Sequence, residues 1–338
     1  MVGKARSQEF LSKLWIVIPI YNDWDAVFQT TLVINNIDLH LKVKLVLVDD
    51  GSTDLDSKEK CIKNLSGKLP ESNIEIILLD STINTGNQIA IMRGLAYVDL
   101  NSDASDVIVV MDADGEDRPE FIPRLLSSLE SEFVDAVVAK RGSRNQTVGF
   151  FLMHNIFKFS FKILTSRTID FGNFMTFRQP LLKKILVSAR RGGNSLPGLL
   201  LQVTDNIHRI KIDRGNRLFG QSRTSSDNLI IWGMEVIVPF AKQIIARILR
   251  ISLLLGLFVA LTGTSLFAVR IFTDLLIPGT ASTILILLLI FLILLVFLCS
   301  IVVLLFSKLE SFEKQFLEQN IINGTIESVT IKSRLQGN

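Results

Sequence analysis

Residues 106–117 read DVIVVMDADGED, and the break inside that stretch sets the reading of the chain. An uncharged run from Val107 to Met111 stops abruptly at a series of carboxylates. A short apolar run rich in β-branched residues and closed by polar ones fits a strand buried on both faces. Four other stretches share this form: LWIVIPI at 14–20, VKLVLVD at 43–49, IEIILL at 74–79 and VDAVVA at 134–139. A helix-length segment follows each. The alternation predicts an α/β domain around a mostly parallel central sheet. Open sheets of this kind bind ligands beyond the carboxyl ends of their strands, so the residues standing there carry the functional argument.

The first strand ends in Pro19, Ile20, Tyr21, Asn22 and Asp23, and the second in Asp49-Asp50-Gly51-Ser52-Thr53-Asp54. Asp50-Gly51-Ser52 reads equally well as a tight turn with a helix cap, since these residue types favour both. After the fourth strand come Asp112-Ala113-Asp114-Gly115-Glu116-Asp117. Residues two apart share one side of an extended segment, which would bring Asp112, Asp114 and Glu116 together. Three such carboxylates suit Mg²⁺ or Mn²⁺, which take oxygen ligands and keep positions open for water and phosphate. A solvated acidic turn is the plainer alternative. The EF-hand pattern is absent, as is a Gly-rich phosphate loop of the Walker or Rossmann type. The phosphates of a bound nucleotide would therefore fall to the metal and to basic side chains. Arg141 and Arg144 past the fifth strand, then Arg217 and Arg223 in RLFGQSR, are the candidates, although a surface charge is the commoner role for any single arginine.

Composition narrows the classes. The 338 residues carry 36 Lys and Arg against 33 Asp and Glu, a net charge of +3, which is no basic coat for nucleic acid. Two cysteines, Cys61 and Cys299, and three scattered histidines, His40, His154 and His208, exclude a disulfide framework, a thiolate cluster and a histidine-rich zinc site. Mean hydropathy is +0.40, and the excess sits in the last third.

Residues 251–269 are free of charge, and residues 284–306 form a 23-residue run broken only by Cys299 and Ser300. At about 1.5 Å per residue a helix of that length spans a hydrocarbon core of about 30 Å. A hairpin of two transmembrane helices, 251–272 and 283–306, is expected, turning at Pro278-Gly279. Lys242, Arg247 and Arg250 precede it and Lys308, Lys314, Lys332 and Arg334 follow, against Arg270 alone in the connection. Positive charge stays on the cytoplasmic side, which puts residues 1–225, a juxtamembrane amphipathic segment at 226–250 and a tail at 307–338 in the cytoplasm. The expected location is the cell (inner or plasma) membrane, multi-pass. No secretory signal is read in the polar residues 1–13. Paired hairpins of this kind suggest a homo-oligomer.

Together the motifs resemble family-2 inverting glycosyltransferases of the GT-A fold. The narrower likeness is to the branch that moves a sugar from a nucleotide to a polyprenyl phosphate, bactoprenol glucosyltransferase-like and dolichol-phosphate-mannose synthase-like. The resemblance spans roughly residues 14–306. It rests on VIPIYND, VDDGSTD, Asn84-Thr85-Gly86-Asn87-Gln88-Ile89-Ala90 with Gly94, MDADGEDRPE, DAVVAKRGSR, DFGNFMTFR, RGNRLFGQSR and the two C-terminal spans. It implies a nucleotide-sugar donor, a UDP-sugar such as UDP-glucose being favoured, a polyprenyl phosphate acceptor in membrane lipid, and Mg²⁺ or Mn²⁺. Pro19, Tyr21, Asp23, Asp50, Asn84, Gln88, Asp112 and Ala113 would then bind the nucleotide-sugar. Asp112, Asp114 and Glu116 would hold the metal. Asp112, Asp114 and Arg141 would serve catalysis, and Arg141, Arg144, Arg217, Ser222 and Arg223 the lipid phosphate. Two departures stand out: Gly115-Glu116 where the family has Leu-Gln, and Arg223 where its basic motif ends in Lys. The absence of Gln-x-x-Arg-Trp argues against a processive polymerase. An inactive homologue serving as a membrane scaffold, or a transferase with another lipid or glycan acceptor, are the competing readings.

Overall fold

The structure is a computed structural model that describes residues 13–68, 73–141, 148–190, 192–213, 215, 217–218, 233–272, 280–317 and 327–330. The first half alternates regularly: β1 (Lys13–Ile20), α1 (Trp24–Asn36), β2 (Lys42–Asp50), α2 (Leu55–Lys68), β3 (Ile74–Ser81), α3 (Asn87–Asn101) and β4 (Val107–Val110). Then follow α4 (Ile122–Ser131), β5 (Ala136–Arg141), α5 (Val148–Thr165), β6 (Phe171–Arg178), α6 (Gln179–Ala189), α7 (Leu196–Val203) and β7 (Ile207–Ile212). The chain continues as α8 (Ala241–Phe272), α9 (Thr280–Leu317) and a short β8 (Glu327–Thr330).

The strands form one eight-stranded sheet in the order β7-β5-β6-β4-β1-β2-β3-β8. β3, β2, β1 and β4 run parallel, as do β5 and β7, whereas β6 is antiparallel to both β4 and β5 and β8 to β3. The continuous apolar runs follow from burial on both faces. Trp15, Val17, Ile108 and Val110 enter one core layer with residues of α3, α6 and α7. Leu14, Ile16, Ile18, Val107 and Val109 enter the other with residues of α1, α2 and α4. Alternate residues thus supply opposite layers, and each fully buried Val, Ile or Leu contributes about 1.5–3 kcal/mol relative to exposure. In α4, Ile122, Leu125, Leu126 and Leu129 are the buried face, the one-stripe spacing of an amphipathic helix.

The carboxyl half departs from a simple extension of the pattern. β5 does not follow β4 in space; β6 is inserted between them, antiparallel. The sequence singles out neither β6, β7 nor β8 as a strand. β6 contains Gly172 and Asn173, weak strand formers, and β7 lies at the sheet's margin with the half-exposed pattern of an edge.

The described part of the segment expected to be juxtamembrane and amphipathic, 226–250, packs in part into the domain core. Val236, Phe240 and Ile244 are at most 2% exposed and belong to the core layer of α6 and α7. Pro239 sits in a single 3-10 turn, Val238–Phe240, ahead of α8, and α8 runs unbroken through residue 250. Beyond the domain the surface inverts. Leu253, Leu257, Phe258, Leu261, Leu294 and Phe297 are all more than half exposed. Two helices are long and apolar enough to cross a membrane, within Gly233–Val269 and Ser282–Leu305, and each is only 6% buried over its most apolar window. Such exposure is unlike that of a soluble protein's core helices. They pack on each other, with Ser252 Oγ 3.0 Å from Cys299 Sγ. The Pro278-Gly279 turn lies outside the described residues.

Candidate active site

The strand order reverses between β1 and β4: from β1 the chain steps outward to β2 and β3, then returns to the other side of β1. The crevice beyond such a switch point is where open α/β sheets place ligands. Its walls are the turn after β1, which carries Tyr21 and Asp23, and the loop after β4, which carries Asp112 and Asp114.

The loop after β4 is not extended. Residues 113–117 are bends, and Gly115 adopts φ +87°, a region that costs a side-chain-bearing residue strain. The two-residue alternation that would align three carboxylates therefore does not apply. Among the described residues no three His, Cys, Asp or Glu form a group suited to a metal. This corrects the expected Asp112–Asp114–Glu116 set. Asp112 and Asp114 are half-buried, whereas Glu116 is 8% exposed and lines a separate small cavity with Asp117, Lys140 and Phe174. Asp112 Oδ1 accepts from Asn87 Nδ2 at 3.3 Å and Asn173 Nδ2 at 3.4 Å. Asp114 Oδ1 accepts from the Glu116 N–H at 3.0 Å. Two half-buried carboxylates suit a hard divalent cation that keeps several ligand positions for water and phosphate.

Arg217 closes the crevice from the carboxyl side. Its guanidinium lies 3.4 Å from Asp23 Oδ2 and 3.8 Å from Asp114 Oδ2. The segment is held by two backbone bonds, Gly215 N–H to the Glu116 carbonyl at 3.0 Å and Leu218 N–H to the Asp114 carbonyl at 2.9 Å. A Cβ at residue 215 would stand 2.1 Å from the Gly115 carbonyl oxygen, so only glycine permits this approach. Gly215 was not singled out from the sequence; a glycine two residues before a candidate phosphate-binding arginine was the available signal.

The other expected residues fall into two groups. Asp50 is 3% exposed, and its carboxylate accepts from Thr85 N–H at 2.9 Å, Thr85 Oγ1 at 2.7 Å and Gly86 N–H at 2.7 Å. Arg93 adds an ion pair at 3.7 Å; burial holds its guanidinium pKa below the ordinary value despite the pull of Asp50. Asp50 thus shapes the loop that carries Asn84. Gln88 is likewise committed, donating to Asn173 Oδ1 at 3.0 Å and accepting from Leu196 N–H at 2.9 Å. Pro19 is buried within β1, Tyr21 is half-buried in the following turn, and the Ala113 carbonyl accepts from Thr30 Oγ1 at 3.2 Å. Asn22, quoted in the sequence without a role, staples two loops: its Oδ1 accepts from the N–H groups of Thr53 at 2.8 Å and Asp54 at 3.0 Å. Arg141 is the last residue of β5. Arg144, Ser222 and Arg223 lie outside the described residues.

With this arrangement in hand, comparison decides the family. Residues 15–187, just over half of the chain, match the family described as glycosyl transferase family 2. The chain is a member of that family. Among curated relatives, undecaprenyl-phosphate 4-deoxy-4-formamido-L-arabinose transferase from Photorhabdus laumondii is 29% identical over 228 residues, 66% of each chain. This family-2 chain therefore spans just under two thirds of that relative's length. The Salmonella choleraesuis protein of the same name is 28% identical over 262 residues, 76% of this chain and 75% of the relative. Among solved structures, glucosyl-3-phosphoglycerate synthase from Mycobacterium tuberculosis, crystallised with Mn²⁺, UDP and phosphoglyceric acid, gives a TM-score of 0.47 at 17% identity, covering 69% of this chain and 78% of that one.

Proposed function

We propose that this family-2 chain is an inverting glycosyltransferase that moves one sugar from a nucleotide-sugar to a polyprenyl phosphate at the cytoplasmic face of a cell membrane. The observation that carries the reading is the placement of Asp112 and Asp114, half-buried at the switch point of the sheet, on a domain that runs directly into two apolar helices. The curated relatives, named for transfer to undecaprenyl phosphate, support the acceptor class. The exposed apolar side chains Ile156, Phe159 and Ile163 of α5 add to it. They share their helix with the Ile163 carbonyl, to which Arg247 of α8 donates at 2.8 Å.

Asp112 and Asp114 are the residues that would hold Mg²⁺ or Mn²⁺; the ion, when bound, stabilises charge developing on the departing nucleoside diphosphate. Tyr21, Asp23 and the loop held by Asp50 border the nucleotide side. Arg217, with Arg141, Arg144, Ser222 and Arg223, is assigned to phosphate. The acceptor is already anionic, about −1.5 to −2 at pH 7. Its phosphate oxygen forms the new bond to the anomeric carbon as the bond to the diphosphate breaks, and the leaving group takes the electron pair. No proton has to be removed from the nucleophile, so the site needs positioning more than a general base. Lys242, Arg247 and Arg250 on one flank and Lys308 on the other favour the cytoplasmic side for the domain.

The test is a donor screen. Purified full-length chain in nanodiscs is given a short-chain polyprenyl phosphate with Mn²⁺ and, separately, UDP-glucose, GDP-mannose, UDP-N-acetylglucosamine and a nucleotide-linked 4-formamido-arabinose. One donor is expected to yield an inverted glycosyl phospholipid extractable into organic solvent. Product appearing only on a hydroxyl acceptor, or no product with any donor, would overturn the assignment.

A further inference from the structure

A line of buried amides runs behind Asp112. β6 lies antiparallel to β4, with Val110 opposite Met175, so the first residues of β6, not its last, stand at the carboxyl edge of β4. Asn173 is the residue this delivers. Its Nδ2 donates to Asp112 Oδ1 at 3.4 Å, and its Oδ1 accepts from Gln88 Nε2 at 3.0 Å. Gln88, in the first turn of α3, accepts in turn from the N–H of Leu196 at the start of α7, at 2.9 Å. Gln88 is 6% exposed, Asn173 5% and Leu196 0%. The line has one permitted direction. A backbone N–H can only donate and an ionised carboxylate can only accept, while a side-chain amide does both. Turning either amide over would set donor against donor or oxygen against oxygen at both of its contacts, and buried polar groups without partners are costly.

We propose that Gln88 and Asn173 are positioning residues, a directional brace that aims the Asp112 carboxylate from behind and ties it to the first turn of α7. This rests on the metal role proposed above for Asp112. Hydrogen bonds behind a metal ligand orient it and tune its hold on the ion. Asn173 can serve in this way because Gln88 holds its oxygen, and Gln88 because a helix backbone holds its own. Asn87, the neighbour of Gln88 on α3, donates to the same Asp112 oxygen at 3.3 Å, so both first residues of that helix bear on one carboxylate. The family resemblance set Gln88 against the nucleotide-sugar. Its amide is instead engaged at both ends, by Leu196 and Asn173, and it acts on the donor through Asp112.

Mn²⁺ titration of the full-length chain in nanodiscs, without nucleotide, tests the brace directly; the free ion is followed by its electron paramagnetic resonance signal. Gln88→Met and Asn173→Leu keep the approximate shape of each side chain and remove its hydrogen-bonding atoms. Each should weaken Mn²⁺ binding about tenfold, the lower end of the loss when a partner behind a metal ligand is removed. The double variant should bind no more weakly than Asn173→Leu alone, because both residues act through one final bond, whereas independent effects would add in free energy. In transfer assays at saturating Mn²⁺, with the donor that the screen above selects, each single variant should lower kcat and leave the donor KM within about twofold. Gln88→Leu and Asn173→Ser, of different shape, should repeat these results and guard against a variant that fails to fold. Unchanged Mn²⁺ affinity at either position, alongside a loss in Asp112→Asn, overturns the brace and leaves the metal site standing. So does a raised donor KM with unchanged Mn²⁺ affinity, which would make Gln88 a donor contact. A wild-type chain that binds no Mn²⁺, or an Asp112→Asn chain that binds it as well as wild type, overturns the metal reading and the brace with it.

Discussion

Two acidic pairs stand at the same edge of the sheet, and the protein treats them differently. Asp49 and Asp50 at the end of β2 are 1% and 3% exposed. Asp49 takes Lys58 Nζ at 2.7 Å and the Ser52 N–H at 3.0 Å, and Asp50 takes three donors and Arg93. Asp112 and Asp114 after β4 are half-buried and meet side-chain amides at 3.3 and 3.4 Å, a backbone N–H at 3.0 Å and a guanidinium at 3.8 Å. The first pair finds its compensation within the chain and holds two loops in shape. The second is half-buried rather than sealed in, which is what a site for an external cation requires. Similar sequence signatures therefore stand in different surroundings, and the depth of burial tells them apart.

Several experiments can break or sharpen that contrast. Chelation should act on the second pair alone: EDTA should lower sugar transfer by about 10³-fold, the several kcal/mol of charge stabilisation a bound metal supplies, with Mn²⁺ restoring it. The melting midpoint of the chelated chain should not fall. Truncating the first pair should do the reverse. Asp50→Ala strands the buried Arg93 and three loop donors, and losing one partner of a buried charge pair costs about 3–5 kcal/mol; denaturant unfolding measures it. A loss below 1 kcal/mol would show that the two pairs are alike after all.

Smaller changes probe the edges of each region. Gly215→Ala forces a Cβ against the Gly115 carbonyl, and overpacking of this kind costs about 1–3 kcal/mol. Transfer should drop with it, because the segment that carries Arg217 is displaced. Lys58 supplies a pH signature for the first pair. Burial draws its ammonium pKa down, but hydrogen bonds and attraction from Asp49 and Asp80 outweigh this and leave it above the ordinary 10.5. The stability it adds is complete below 10.5 and is lost as pH climbs through the higher folded value. The stability difference between wild type and Lys58→Met should thus be flat from pH 7 to 9 and shrink only above pH 10.5.

The amino-terminal half of the fold was legible because burial on both faces leaves no choice of residue: LWIVIPI and DVIVVM can hardly be anything but central strands. β6 escaped notice because Gly172 and Asn173 interrupt its apolar character, and β7 because an edge strand tolerates His208, Arg209 and Lys211. The acidic loop was legible as a place but not as a geometry. Spacing predicts alignment only while the backbone stays extended, and Gly115 at φ +87° ends that. Asp50 and Gln88 were recognised as important residues of the region, yet their partners, Thr85, Gly86, Asn173 and Leu196, arrive from elements that no local pattern brings together.

The most direct test of the division between the two pairs is a paired measurement on Asp114→Asn, its melting midpoint and its rate of sugar transfer to polyprenyl phosphate in one preparation. A chain that melts at or above the wild-type temperature and transfers at least about 10²-fold more slowly, the scale for losing one preorganised electrostatic group, is the expected result. A chain that melts early while retaining wild-type transfer would mean that Asp114 serves the fold and that the chemistry lies elsewhere.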